Sequence, residues 1–262
     1  MKKIFFLSGL ARSGNTLLAS LLNQNKNIAV TANSIVFDIL QSIDQFKYHQ
    51  TFKNFPDHDS FNSIISNIIP NYYQNWNQSY IIDRSQITED RLVFLKKNLN
   101  HEIKIIVLWR DLFEVLASFL KWSENKEVPM FPKGTSYEQK IDILMDKNTS
   151  NIITGLNVIQ YLSKLENMHF SHFVNYDDLI NNPELEIKEI YKFLNIPHFN
   201  HDFNNITDFK VNKIKYDDTI FGEGLHQVKL GKIEKGNYNF MDYIPEISYN
   251  KYKNLNIKPS YF

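Results

Sequence analysis

The chain has 262 residues, 43% hydrophobic and 22% charged, and its 29 basic and 29 acidic side chains cancel. That is a globular composition with enough apolar residues for a sizeable core. The balanced charge, with no basic run, excludes generic electrostatic attraction to nucleic acid or an anionic membrane, so any bound anion must be held locally.

Zero cysteines exclude a disulfide scaffold, a thiolate nucleophile and cysteine-ligated metal centres, and fit a reducing compartment. At the N-terminus, Met1-Lys2-Lys3 followed by Ile4-Phe5-Phe6-Leu7 imitates a secretory signal. Ser8 and Gly9 interrupt its apolar core and Arg12 closes it, with no clear small-residue cleavage site. No later run approaches the roughly 20 apolar residues of a membrane span. A cytoplasmic location is the expectation.

Lys3 to Leu7 reads as a strand ended by Gly9, and Thr16 to Leu22 as a helix. Ile28 to Thr31 is a weaker strand, followed by a helix over 60–75, a strand at Tyr80 to Asp83 and a helix over 87–99. Ile103 to Trp109 is apolar except for Lys104, and an amphipathic segment follows to about Trp122. One helix is predicted over 136–165, a strand over His169 to Tyr176, and a helix over 183–194 opened by Asn182-Pro183.

Continuous apolar strands alternating with helices predict an α/β fold, a central parallel sheet covered on both faces, with right-handed crossovers. There is no internal repeat and no Pro/Gly/Ser linker, so residues 1–262 are expected to form a single domain. The tail beyond about 197 is less periodic and richer in Lys, Asn, Tyr and Gly. It is expected to wrap the sheet or lid a site.

Gly9-Leu10-Ala11-Arg12-Ser13-Gly14-Asn15-Thr16 stands where the first strand turns into a helix. Amides without intrahelical partners, the positive end of the helix dipole and permissive glycines suit a phosphate or sulfate there. The glycines and Thr16 are spaced as in nucleotide-triphosphatase loops, but Asn15 stands where those loops need a lysine. The cation is instead Arg12, whose planar fork can reach a phosphate or sulfonate oxygen. At a second strand-to-helix junction Arg110 leaves the strand end, and Ser118 follows eight residues later, two helical turns on and on roughly the same side. Considered singly, Ser118 is better read as a small core-facing residue bonded to its own helix backbone.

These residues resemble the sulfotransferases that use 3′-phosphoadenosine 5′-phosphosulfate (PAPS). The loop Ala11-Arg12-Ser13-Gly14-Asn15-Thr16-Leu17 is similar to the family's 5′-phosphosulfate loop, with Asn15 where a second Thr is usual. The family's 3′-phosphate site, an Arg at a strand end and a Ser eight residues on, maps onto Arg110 and Ser118. A third feature, Tyr176-Asp177-Asp178-Leu179, Asn182-Pro183 and Phe193-Leu194, also matches, and the resemblance implies that Tyr176 lies near the adenosine. The likeness spans residues 3 to about 196 and implies a P-loop-like sulfotransferase fold.

What it implies chemically is in-line attack of an acceptor hydroxyl, or less often an amine, on sulfur. Adenosine 3′,5′-bisphosphate (PAP) leaves, without an obligatory metal. Arg12 is the expected leaving-group cation and Arg84, in Asp83-Arg84-Ser85, the second. The family's base positions align to Asn33 and Gln86, neither of which is a useful proton acceptor. Replacement bases are Asp83, Asp38 and His226. Lys235-Gly236 is the nearest counterpart of the family's late 3′-phosphate loop, with Lys229 and Lys232 nearby.

The acceptor, a small molecule, glycan or lipid, would meet residues 34–75 and 120–150. The aromatic residues there (Phe37, Phe46, Tyr48, Phe52, Tyr72, Tyr73, Trp76 and Trp122) suit an apolar ligand but suit core packing better. Glycosylation-like triplets starting at Asn77, Asn148 and Asn205 are expected by chance in so Asn-rich a chain. Two other readings stay open: a P-loop kinase-like phosphotransferase, and a silent PAPS- or PAP-binding protein that has lost its base.

Overall fold

The computed structural model describes residues 2–99, 102–124, 130–208, 210–220, 228–236 and 239–259. Its centre is a five-stranded sheet, all of whose pairings are parallel.

In chain order the first half holds β1 (Lys3–Gly9), α1 (Asn15–Leu22), β2 (Ile28–Val30), α2 (Val36–Asp44), α3 (Gln50–Asn54) and α4 (His58–Tyr73). Then come β3 (Tyr80–Arg84), α5 (Glu89–Asn98), β4 (Ile105–Trp109), α6 (Leu112–Glu124), α7 (Tyr137–Leu144), α8 (Asn151–Leu162) and β5 (Ser171–Asn175). The chain closes with α9 (Tyr176–Asn181), α10 (Pro183–Leu194), β6 (Lys210–Val211), β7 (Ile214–Lys215) and α11 (Glu246–Tyr252).

The strand order is β2-β3-β1-β4-β5, with Phe5 beside Ile82 on one side of β1 and Leu7 beside Ile106 on the other. The two-residue period of a strand sorts its side chains into two cores. Ile4, Phe6, Ile81, Ile105 and Val107 enter the core beneath α2, α4, α5, α6 and α8. Phe5, Leu7, Ile82, Ile106 and Leu108 enter the other, beneath α1 and α10. From β1 the chain runs toward one sheet edge and from β4 toward the other. Their carboxyl ends therefore flank the crevice where open α/β sheets bind ligands.

The predicted helix over 136–165 is two helices. Asp146 Oδ1 accepts the amides of Asn148 and Thr149, turning the chain, and Ser150 Oγ then accepts the amides of Ile152 and Ile153 as the cap of α8. The predicted fifth strand is shorter at both ends. Asn175 Oδ1 caps a new helix by accepting the amide of Asp177 at 2.7 Å, so Tyr176 opens α9 rather than closing the strand.

Segments of the tail touch elements on both faces of the sheet. Ser20 Oγ donates to the Thr207 carbonyl at 2.6 Å, while Asn256 bonds both Asp111 and the Leu112 amide, and Tyr249 packs on Phe113 with ring centroids 4.5 Å apart. Among the described residues no helix is long and apolar enough to cross a membrane.

Candidate active site

The loop after β1 is braced from inside. Ser13, fully buried, donates from Oγ to the Leu10 carbonyl at 2.6 Å. Asn15 Nδ2 donates to the same carbonyl at 2.7 Å and reaches Ser13 Oγ at 3.3 Å. The Asn15 side chain is thus turned into the loop and not outward as a phosphate-binding lysine would be. Gly14 caps α1 at φ +90°, with no side chain capping the first-turn amides. Those amides have no intrahelical acceptors, which makes the start of α1 a donor cluster for an anion. Arg12 itself has φ +58°, a conformation that costs a non-glycine residue of the order of 1–3 kcal/mol.

Arg12 and the second junction meet. Arg12 Nε donates to Ser118 Oγ at 3.1 Å, and Arg110 Nη1 donates to the Arg12 carbonyl at 3.3 Å. Arg110, 5% exposed, donates from Nε and Nη2 to Glu114 Oε2, both at 2.8 Å, and lies over the Tyr176 ring at 4.1 Å. The late loop arrives at the same place. Lys235 Nζ bonds Asp177 Oδ1 at 2.6 Å and stands 3.7 Å from Glu114 Oε1, and the Asp177 hydrogen bond raises its pKa.

A cleft of 1110 Å³ contains Arg12, Gly14, Asn15, Thr16, Leu17, Arg84, Arg110, Ser118, Tyr176 and Gly236 in its walls. Guanidinium groups, a helix start and an aromatic ring with a tight glycine beneath it form a donor set that fits an anionic nucleotide. Farther along, Phe119, Trp122, Met130, Ile143 and Ile152 supply an apolar wall. Of the aromatic residues weighed for an acceptor pocket, Trp122 alone lines this cleft. Phe37 and Tyr73 belong to the core, Trp76 packs on it, and Phe46 and Tyr48 are exposed.

The acid–base candidates fare differently. Asp83 is fully buried, below the cleft surface, and burial raises its pKa. Asp38 pairs with Arg91 at 3.5 Å and is not among the cleft-lining residues. His226 lies outside the described residues. Asn33 Nδ2 donates to the Tyr216 hydroxyl at 3.3 Å, and Gln86 Nε2 to the Gly9 carbonyl at 2.8 Å, so both family base positions do structural work. Arg84 donates from Nη1 to the Ala32 carbonyl at 2.8 Å; burial pulls its pKa down to about 10, which leaves it a cation at neutral pH.

Three site residues carried no expectation. Glu114 was detectable, since an acid four residues after Arg110 shares its helix face. Asp177 adjoins the resembling Tyr176, but its lysine partner is 58 residues away. Tyr216 comes from the aperiodic tail and had no sequence signal.

A family model described as "Sulfotransferase domain" matches residues 2–239. Among solved structures, the mouse sulfotransferase SULT7A1 complexed with PAP is 12% identical with a TM-score of 0.57, over 97% of this chain and 82% of that one. The sulfotransferase domain from the Synechococcus PCC 7002 olefin synthase is 15% identical, TM-score 0.51, over 89% and 90%. The sulfotransferase domain from the curacin biosynthetic pathway is 18% identical, TM-score 0.50, over 98% and 92%. At these identities the likeness establishes the fold. No curated protein sequence matches the chain. With its five-stranded parallel sheet and a family match across nearly the whole chain, the protein belongs to the sulfotransferase domain family.

Proposed function

We propose that the protein transfers a sulfuryl group from PAPS to a hydroxyl, or less often an amine, of a small-molecule, glycan or lipid acceptor, and releases PAP without a metal. The observation that carries this is the convergence of two strand-to-helix junctions on one cleft, with Arg12 Nε 3.1 Å from Ser118 Oγ and Arg110 Nη1 3.3 Å from the Arg12 carbonyl. In this reading the backbone of Ser13 through Leu17 and the Arg12 side chain hold the 5′-phosphosulfate, with Arg84 as second cation. Arg110, Ser118 and Lys235-Gly236 hold the 3′-phosphate, and Tyr176 stacks near the adenosine. Such a site works by positioning and by fixed positive charge where the leaving oxygen gains negative charge. Residues 1–262 act as one domain in a cytoplasmic setting, in keeping with a chain free of cysteine.

The test is ligand-dependent thermal stability. PAP without metal is expected to raise Tm by mass action, and ATP with magnesium is not. Stabilisation by ATP and magnesium but not by PAP overturns the reading in favour of a kinase-like phosphotransferase. Turnover of labelled PAPS over a panel of hydroxyl compounds then separates an enzyme from a silent binder. The silent reading draws support from Asn33 and Gln86, both engaged in structural hydrogen bonds where the family carries its base.

A further inference from the structure

Neither family base position offers a proton acceptor, yet a carboxylate lies just beneath the cleft wall. Asp83, at the end of β3, has no solvent exposure and cannot touch an acceptor molecule directly. Its Oδ2 accepts the Tyr73 hydroxyl, and its Oδ1 accepts Ser85 Oγ at 2.5 Å. Ser34 Oγ lies 3.3 Å from the Tyr73 hydroxyl. Ser85 is also part of the cleft wall, between Arg84 and Gln86. One side chain thus bridges the reaction space and a sequestered carboxyl group.

A purely structural role is a poor account of this carboxylate. Holding loops together needs acceptors and donors, which an asparagine supplies without the cost of burying a charge. The remaining charged and titratable groups facing Asp83 are Arg91 from α5 and the Tyr72 and Tyr73 hydroxyls from α4. None of them forms a close ion pair with Asp83 among the described residues. Burial holds the Asp83 carboxyl above its ordinary range, which makes its ionised form a stronger proton acceptor than an exposed aspartate.

We propose that Ser85 carries the acceptor's proton to Asp83, so that a Ser85–Asp83 relay supplies the base missing from positions 33 and 86. This rests on the sulfotransferase reading above. When bound, the donor supplies an activated sulfuryl group. The acceptor oxygen forms a bond to sulfur as the bond from sulfur to the bridging phosphate oxygen breaks, and that electron pair departs with PAP. The acceptor's proton passes to Ser85 Oγ while the Ser85 proton passes to Asp83 Oδ1. Ser85 ends unchanged, Asp83 ends as the neutral acid, and the reverse path to solvent resets it. Ser85 is the group that touches substrate, and Asp83 acts through it.

Two readouts test the relay. The first is the pH titration of the Asp83 carboxyl infrared band, taken as the difference between wild type and Asp83→Asn in the PAP complex. The relay requires ionised Asp83 at working pH, and Ser85→Ala is expected to shift the titration upward by removing a donor to the charged form. A carboxyl that stays protonated from pH 6 to 9 overturns the proposal.

The second is turnover on the best acceptor of the panel. Ser85→Ala and Asp83→Asn are expected to lower kcat by about 100-fold while PAP affinity stays within about twofold, and Ser85→Thr to restore much of kcat. The acidic limb of the pH–kcat profile should vanish in Asp83→Asn. If Asp83→Asn does not fold, Ser85→Ala carries the test. Variants that turn over like wild type, with the limb intact, overturn the relay and leave the sulfotransferase reading standing. Failure of the wild type on every acceptor overturns that reading and the relay with it.

Discussion

The Tyr176 ring fills the space between Gly14 and Arg110. The guanidinium carbon stands 4.1 Å from the ring centroid, and a Cβ placed on Gly14 would lie 2.8 Å from the ring's Cδ2. Glycine at 14 is therefore required twice, once by its φ of +90° and once by the ring above it. The same ring links the third resembling motif to the first two.

Gly14→Ala follows directly. The alanine must adopt a left-handed conformation and push Tyr176 off Gly14, disturbing Arg110. A stability loss of about 1–3 kcal/mol is expected, seen as a lower Tm, together with loss of PAP-induced stabilisation. An alanine variant with wild-type Tm and an unchanged PAP shift would mean that the loop and ring are not coupled.

Arg110→Ala separates the two ends of the nucleotide. Charge-assisted hydrogen bonds of this kind contribute about 1.5–3 kcal/mol, so PAP affinity should fall by roughly 10- to 100-fold. Adenosine 5′-monophosphate, which lacks the 3′ group, should lose far less. Titration calorimetry with both nucleotides decides it; equal losses would remove Arg110 from the 3′-phosphate role.

Where strands are continuous apolar runs and motifs sit at their ends, the fold was legible. Burial on both faces leaves β1, β3 and β4 few polar positions, and glycines or charges mark their exits. The short helices were not. In α2 the apolar residues Val36, Phe37 and Leu40 are buried and Ser34 Oγ accepts the Val36 amide at 3.2 Å, but one serine two residues before a nine-residue helix is a weak start signal. The split between α7 and α8 was written in Asp146 and Ser150, but a turn without Gly or Pro reads as helix until its side-chain bonds are seen. In the site, Arg12, Arg110 and Ser118 were readable because they keep fixed offsets along the chain. The burial of Asp83, the Lys235–Asp177 bond and the approach of Tyr216 depend on folding that brings distant segments together, which spacing does not encode.

Asn15 marks the departure from nucleotide-triphosphatase loops, and its role is local. Its amide bonds the Leu10 carbonyl at 2.7 Å within a buried loop. Asn15→Ala leaves that carbonyl to Ser13 alone, so a loss of about 1–2 kcal/mol is expected by chemical denaturation, with weaker PAP binding as the loop loosens. Asn15→Lys should not confer magnesium–ATP stabilisation, because its side chain must first leave a packed interior. A gain of ATP-dependent stability in that variant would show the position to be an open phosphate subsite.

The pH dependence of stability is set in part far from the cleft. His201 hydrogen-bonds the Tyr191 hydroxyl at 3.0 Å, and burial pulls its pKa down to about 4 from an unfolded value near 6.5. Between those values the unfolded chain binds the proton and the folded chain does not. The stability tied to neutral His201 is therefore complete above about pH 6.5 and drains away as pH falls toward 4. Partial exposure screens the effect, so the loss is about 1–2 kcal/mol rather than the full value of the shift. His172, also lowered by burial, acts in the same sense, whereas Asp83, raised by burial, acts in the opposite one. Calorimetric Tm values between pH 7 and 4.5 should fall in the wild type and fall less steeply in His201→Gln. Parallel slopes in the two proteins would show that His201 is protonated in the folded state and that its environment is wetter than the packing against Tyr191 implies.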